Sequence, residues 1–194
     1  DLKKEIVSSY HRLSKKYGQS NTDVAVRSSA TCEDMPGASF AGQFETFLNV
    51  RGEKELLLAV KKCMASLFND RAIAYKHEKN FSQFQIAISI GVQKMIRSDL
   101  ASSGVMFSLD TETGFKKVVL INSIWGVGEM IVKGLITPDE FYVFKPTLKQ
   151  GYKPIIVKNL GRKNKKYVYN KRGGLSQVRV KKEKANQFSL TEKE

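Results

Sequence analysis

Residues 24–34 read Val24-Ala25-Val26-Arg27-Ser28-Ser29-Ala30-Thr31-Cys32-Glu33-Asp34, and the reading of the whole chain turns on this stretch. The apolar run Val24-Ala25-Val26 predicts a short buried strand. Arg27 stands where that strand ends, followed by small hydroxyl residues. A planar guanidinium that stays charged and donates in pairs suits a phosphate at this position. Closing the strand by pairing with Glu33 or Asp34 suits the same residues equally well, so both readings stay open.

Before this strand, Leu2, Ile6, Val7, Tyr10, Leu13 and Tyr17 recur at helical spacing up to Gly18, which predicts a helix over 2–17. After it, residues 27–46 read as a long polar loop around Pro36, Gly37 and Gly42, and 47–50 as a strand. Residues 53–75 read as one helix with Leu56, Val60, Met64 and Leu67 on its inner face. Ile86, Ile88, Ile90 and Val92 then alternate with Ala87, Ser89 and Gly91, the period of a strand. More strands are expected at 105–108, 118–122, 140–144, 154–157, 167–169 and 178–180. Many strands with two or three helices make an α+β chain whose mixed or antiparallel sheet is partly covered on one face. Near the end, Ser189-Leu190-Thr191-Glu192 has the Ser-x-x-Glu form of a capping box and predicts a helix start. With no initiator Met and an opening inside a helical pattern, the expectation is an interior piece cut at both ends.

The composition is that of an ordinary globular chain, 41% hydrophobic and 27% charged, with room in 194 residues for a sizeable core. No run of about 18 apolar residues suggests a membrane span, and the first residues are not a signal peptide. Cys32 and Cys63 form neither a disulfide framework nor a zinc pattern, which fits a reducing, cytoplasmic setting. The net charge of +14 is uneven, because residues 151–194 hold 13 Lys and Arg against 3 Glu. That tail raises a nucleic-acid partner as one reading. Against it, Lys163, Lys165, Lys166, Lys181, Lys182 and Lys184 interleave with strand-like segments, which reads as a solvated lysine face.

Three other segments carry chemistry. Met35-Pro36-Gly37-Ala38-Ser39-Phe40-Ala41-Gly42-Gln43 surrounds one Phe with small residues, so its backbone N–H groups can approach phosphate oxygens, or it is a plain turn. It is not a Walker loop, and no Gly-x-Gly-x-x-Gly fingerprint occurs. Gln93-Lys94-Met95-Ile96 ends the alternating strand in a form that could offer backbone hydrogen bonds to a purine edge; an ordinary strand end reads the same way. Trp125-Gly126-Val127-Gly128-Glu129 is a tight turn presenting one carboxylate, a ligand type for Mg²⁺ or ribose, or simply a capped turn. His11 and His77 lack a partner pattern for nucleophilic catalysis and read as surface histidines.

Taken together, the blocks at 26–31, 33–34 and 38–43 closely resemble the start of the ATP-binding domain of the phosphoenolpyruvate synthase family. The likeness continues through Glu45-Thr46-Phe47-Leu48-Asn49-Val50, Ala65-Ser66-Leu67-Phe68-Asn69-Asp70-Arg71-Ala72 and Gly91-Val92-Gln93-Lys94-Met95. It runs on through Arg97-Ser98-Asp99-Leu100-Ala101-Ser102-Ser103-Gly104, Gly126-Val127-Gly128-Glu129 and Pro138-Asp139-Glu140-Phe141-Tyr142, and more loosely to Thr191. The resemblance implies an ATP-grasp fold, its first part over 1–92 and its second over 93–194. It also implies the conversion of ATP, pyruvate and water to phosphoenolpyruvate, AMP and phosphate through a phosphohistidine on a separate domain. By motif, Arg27 would contact the phosphates, Gly42 and Thr46 would belong to the loop above them, Gln93, Lys94 and Met95 would hold adenine, and Glu129 would supply a carboxylate in the nucleotide site. ATP and Mg²⁺ are the implied cofactors. The family's early lysine, its later Glu with a Gln-x-Arg strand, and its phosphohistidine and pyruvate domains have no counterpart in these 194 residues, so the chain alone is expected to be inactive.

Pyruvate phosphate dikinase, rifampicin phosphotransferase and glucan water dikinase share such a module and stand as alternatives, beside the basic nucleic-acid-binding reading. Strand edges left open in a partial module would also favour self-association into homo-oligomers.

Overall fold

The computed structural model describes residues 1–30, 34–35, 38–39, 45–78 and 86–193. The chain divides into two compact units, one of Asp1–Ile96 with Asn170–Gly174, the other of Arg97–Tyr169 with Leu175–Glu194. Both mix antiparallel sheets with few helices, the α+β class that the sequence predicts.

In the first unit, helix α1 (Leu2–Lys16) starts at Asp1, whose side chain caps Lys3 N–H, and it ends before Gly18 at φ 63°. Strand β1 (Val24–Ala30) follows. The strand runs four residues beyond the predicted 24–26, so Arg27, Ser28, Ser29 and Ala30 are strand rather than loop. Its periodicity is masked in sequence because Ser28 is small, polar and buried among apolar neighbours. Short strands β2 (Asp34–Met35) and β3 (Ala38–Ser39) pair with each other inside the predicted loop. Strand β4 (Thr46–Val50) pairs antiparallel with β1, which pairs on its other side with β5 (Ile88–Lys94).

One face of this three-stranded sheet is sealed by helix α2 (Glu53–Ala65), whose Leu56, Ala59, Val60 and Cys63 pack with Tyr10, Val24 and Val26 into the core. Burial of these side chains contributes roughly 1.5–3 kcal/mol for each larger one. Burial pushes the Cys63 thiol up to about 11, so it stays protonated. The single helix expected over 53–75 is broken. A 3₁₀ turn at Ser66–Phe68 interrupts it, Ser66 Oγ donates to Cys63 O (2.7 Å), and Asn69 turns extended to cap Ala72 N–H (2.7 Å) as α3 (Asp70–Glu78) begins. Met64, expected inside, is 41% exposed as a result of the true stripe falling one position earlier, on Cys63.

The second unit is built on a four-stranded antiparallel sheet of β6 (Ser102–Phe107), β7 (Val118–Trp125), β8 (Asp139–Phe144) and β9 (Ile155–Asn159), in that order. Three short helices, α4 (Glu129–Val132), α5 (Lys145–Lys149) and α6 (Lys182–Ala185), and a hairpin of β10 (Lys165–Tyr169) with β11 (Leu175–Arg179) complete it. Two expectations fail here. Lys163 is not on a solvated face: its side chain is fully buried and paired with the equally buried Asp139. Ser189 does not cap a helix, because its N–H and its hydroxyl both donate to Asp139 Oδ2 (2.7 Å each). The residues after it that are described, through Lys193, are not helical. The carboxylate that claims both groups lies about 50 residues away in sequence, where no local pattern points to it.

Among the described residues, no helix is long and apolar enough to cross a membrane.

Candidate functional site

The face of the first unit's sheet opposite α2 carries three of the sequence-nominated residues, Arg27, Thr46 and Gln93. Val24, Val26 and Ser28 of β1 point toward the helix and are buried, whereas Arg27 and Ser29 alternate to the other face and are exposed. Arg27 stands directly between Thr46 of β4 and Gly91 of β5 in the antiparallel register. A Cβ on Gly91 would lie 3.6 Å from Arg27 Cγ, so the missing side chain leaves the strand bare beside the arginine stem. Gln93 falls on the same face, opposite Ala25 and one side-chain repeat along β5. Among the described residues no carboxylate pairs with Arg27. The arrangement is an exposed strand surface with one guanidinium that no carboxylate among the described residues pairs and a hydroxyl beside it, which suits an anion with several oxygens.

Lys94 is not part of that surface. It falls on the α2 side of β5, opposite Val24, and its ammonium meets Asp23 Oδ1 at 2.6 Å. Arg51 approaches the same oxygen at 3.6 Å. The Lys94 ammonium also donates to Met95 O (3.3 Å) and lies 5.8 Å from the Tyr17 ring. Met95 is buried, and its N–H donates to Asp23 O (3.0 Å), so both its backbone groups have protein partners. Gly42 lies outside the described residues, as does most of the loop around it.

Glu129 belongs to the second unit. Gly126 makes the turn before it at φ 83°, where a side chain would strike Tyr167 O at 2.5 Å, so only glycine fits. Ser103 Oγ donates to Gly126 O (2.5 Å), and Gly126 N–H donates to Ala101 O (2.9 Å). Glu129 then opens α4 and pairs with Lys133 one turn on (2.8 Å). A carboxylate held by one half-exposed lysine can still offer an oxygen to a cation, since Mg²⁺ takes one or two protein carboxylates beside substrate oxygens. Among the described residues there is no cluster of three or more His, Cys, Asp or Glu placed to hold a metal by themselves.

The sequence reading passed over Asp23, Arg51 and Gly91. Gly91 was visible as the one residue without a side chain in the alternating strand, whereas Asp23 gains meaning only when the register sets Lys94 beside it.

The family model described as pyruvate phosphate dikinase, AMP/ATP-binding domain, matches residues 1–194. The chain is 52% identical over 197 residues to the phosphoenolpyruvate synthase of Helicobacter pylori, covering 100% of this chain and 24% of that protein. It is 54% identical over 199 residues to the phosphoenolpyruvate synthase of Aquifex aeolicus, covering 100% and 23%. With that of Escherichia coli it shares 51% identity over 198 residues, covering 100% and 25%. The chain thus spans about a quarter of the length of these curated relatives.

Proposed function

The chain belongs to the pyruvate phosphate dikinase AMP/ATP-binding domain family, and from that premise we propose that it is the nucleotide-binding part of a cytoplasmic phosphoenolpyruvate synthase. In this reading the two units are the two parts of an ATP-grasp module. The observation that carries it is the exposed Arg27 between Thr46 and Gly91, on a sheet face left open by the helix packing.

Arg27 binds the ATP phosphates, with Thr46 and the loop containing Gly42 over them. Gln93, Lys94 and Met95 form the purine end; Gln93 offers its side chain, and Lys94 and Met95 set the strand exit behind it. Glu129 would supply one carboxylate oxygen to Mg²⁺, a ligand type that ion accepts. Bound Mg²⁺ would neutralise phosphate charge, which phosphoryl transfer needs together with positioning. In the whole enzyme the product of this half-reaction is a phosphohistidine on another domain, which hands its phosphoryl group to pyruvate, a step that belongs to gluconeogenesis.

Calorimetric titration of the chain with Mg-ATP, beside an Arg27→Ala variant, tests the reading. Saturable binding that weakens at least tenfold in the variant is the expected result, since a charge-assisted pair of hydrogen bonds is worth roughly 1.5–3 kcal/mol. Equal binding by both proteins would remove Arg27 from the site. The 194 residues carry no phosphohistidine or pyruvate domain, so they should form no phosphoenolpyruvate in a coupled assay.

A further inference from the structure

Three hydrogen bonds converge on the exit of β5 from behind the open face. Asp23 O accepts from Met95 N–H (3.0 Å), Asp23 Oδ1 accepts from the Lys94 ammonium (2.6 Å), and that ammonium also donates to Met95 O (3.3 Å). Together they close a ring around the Lys94–Met95 peptide. Asp23 has a side chain only 3% exposed, and its second oxygen has no hydrogen-bond partner among the described residues. A buried carboxylate that carries its whole load on one oxygen is costly, and it persists only where its partners are held tightly. The ring extends sideways within the same unit. Arg51 reaches Asp23 Oδ1 with one nitrogen and donates to Asn49 Oδ1 (3.2 Å) with another. Asn49, at φ 54° and fully buried, donates in turn to Asn170 O (2.8 Å) and Gly174 O (2.7 Å).

We propose that Asp23 is the positioning residue for the purine end of the nucleotide. It locks the Lys94–Met95 backbone from the helix side of the sheet, so that the strand leaves β5 with Gln93 presented on the open face. This rests on the nucleotide reading above and deepens it. Lys94 acts through the same ring: its ammonium is held on the side of the sheet away from Arg27, and it serves the frame rather than the phosphates. The purine and phosphate ends of the site are therefore built by different residues, which makes them separable by experiment.

The test uses the full 194-residue chain with three probes: Mg-ATP, adenosine, and inorganic tripolyphosphate with Mg²⁺. Asp23→Asn keeps the shape and the backbone acceptor but removes the charge that fixes Lys94. It should weaken adenosine and Mg-ATP alike, by about tenfold, the size of one charge-assisted hydrogen bond, and leave tripolyphosphate within about twofold. Arg27→Ala should do the converse, weakening Mg-ATP and tripolyphosphate and sparing adenosine. Hydrogen exchange supplies a second readout, with protection lost at the Met95 amide but kept at Val26. Should Asp23→Asn fail to fold, Arg51→Leu removes the weaker cation from the same oxygen at a half-exposed position and should give a smaller loss of the same pattern. Tripolyphosphate falling in step with adenosine, or adenosine unchanged, would overturn the assignment while leaving the nucleotide reading intact. A folded wild-type chain that binds no Mg-ATP would overturn both.

Discussion

Lys163 and Asp139 form an ion pair from which water is wholly excluded, and removing one partner should be felt throughout the second unit. Lys163→Met keeps the length and volume of the stem, so it opens little cavity, but it strands the Asp139 carboxylate. Breaking a buried pair in this way costs about 3–5 kcal/mol. Asp139 retains three donors, Gly161 N–H (2.9 Å), Ser189 N–H (2.7 Å) and Ser189 Oγ (2.7 Å), which argues for the low end, about 3 kcal/mol. For a unit of roughly 90 residues that is a fall in Tm on the order of 12 °C or more, at about 4–8 °C per kcal/mol. The assay is built into the chain. Trp125 is its one tryptophan and lies in the second unit, its indole N–H bonded to Lys184 O (3.0 Å), so fluorescence reads that unit while circular dichroism reads both. Asp139→Asn combined with Lys163→Met should recover more than half the loss, because a neutral amide needs no counter-charge. A cost below about 1 kcal/mol for Lys163→Met would refute the reasoning, since it would place the pair in a solvated setting where ion pairs contribute little.

Gly91→Val should raise stability by about 1 kcal/mol, as a β-branched residue replaces a strand glycine, yet weaken tripolyphosphate several-fold by crowding the Arg27 stem; a denaturation midpoint and a titration on the same sample decide it. Asn49→Gly keeps the left-handed backbone but removes the side-chain donor from the Asn170 and Gly174 carbonyls, each of which keeps one backbone donor, so it should cost about 1–2 kcal/mol and raise hydrogen exchange at the Gly174 amide; retained protection there would count against it. Asp99 is held below the ordinary carboxylate range chiefly by the side-chain hydrogen bonds from Arg97 (2.8 Å each). Because the folded value is the lower one, its contribution is present at neutral pH and is lost as pH falls past the usual carboxylate value of about 4. The stability gap between wild type and Asp99→Asn should therefore narrow from pH 7 toward pH 3, and a gap constant with pH would refute the pairing.

Local chemistry was enough to read α1, β4 and the alternating core of β5, because the period of side-chain burial is written directly into Leu2–Lys16 and into Ile86 to Val92. It also nominated Arg27, and the family resemblance nominated Thr46; the register places the two side by side. What sequence could not supply was anything set by partners far along the chain. The break after Ala65 is a local exception, missed because side chains bond backbone groups three residues away in competition with a continuous helix. Lys94 reads as a nucleotide ligand until antiparallel pairing sets it beside Asp23, 71 residues away. Lys163 reads as solvated until Asp139 closes over it from 24 residues back, and Ser189 reads as a helix cap until the same carboxylate claims its hydroxyl from 50 residues away. Side-chain period is a property of neighbours and survives in the sequence. The fate of a charge depends on which opposite charge the fold brings to it as water is removed, and only the tertiary structure decides that.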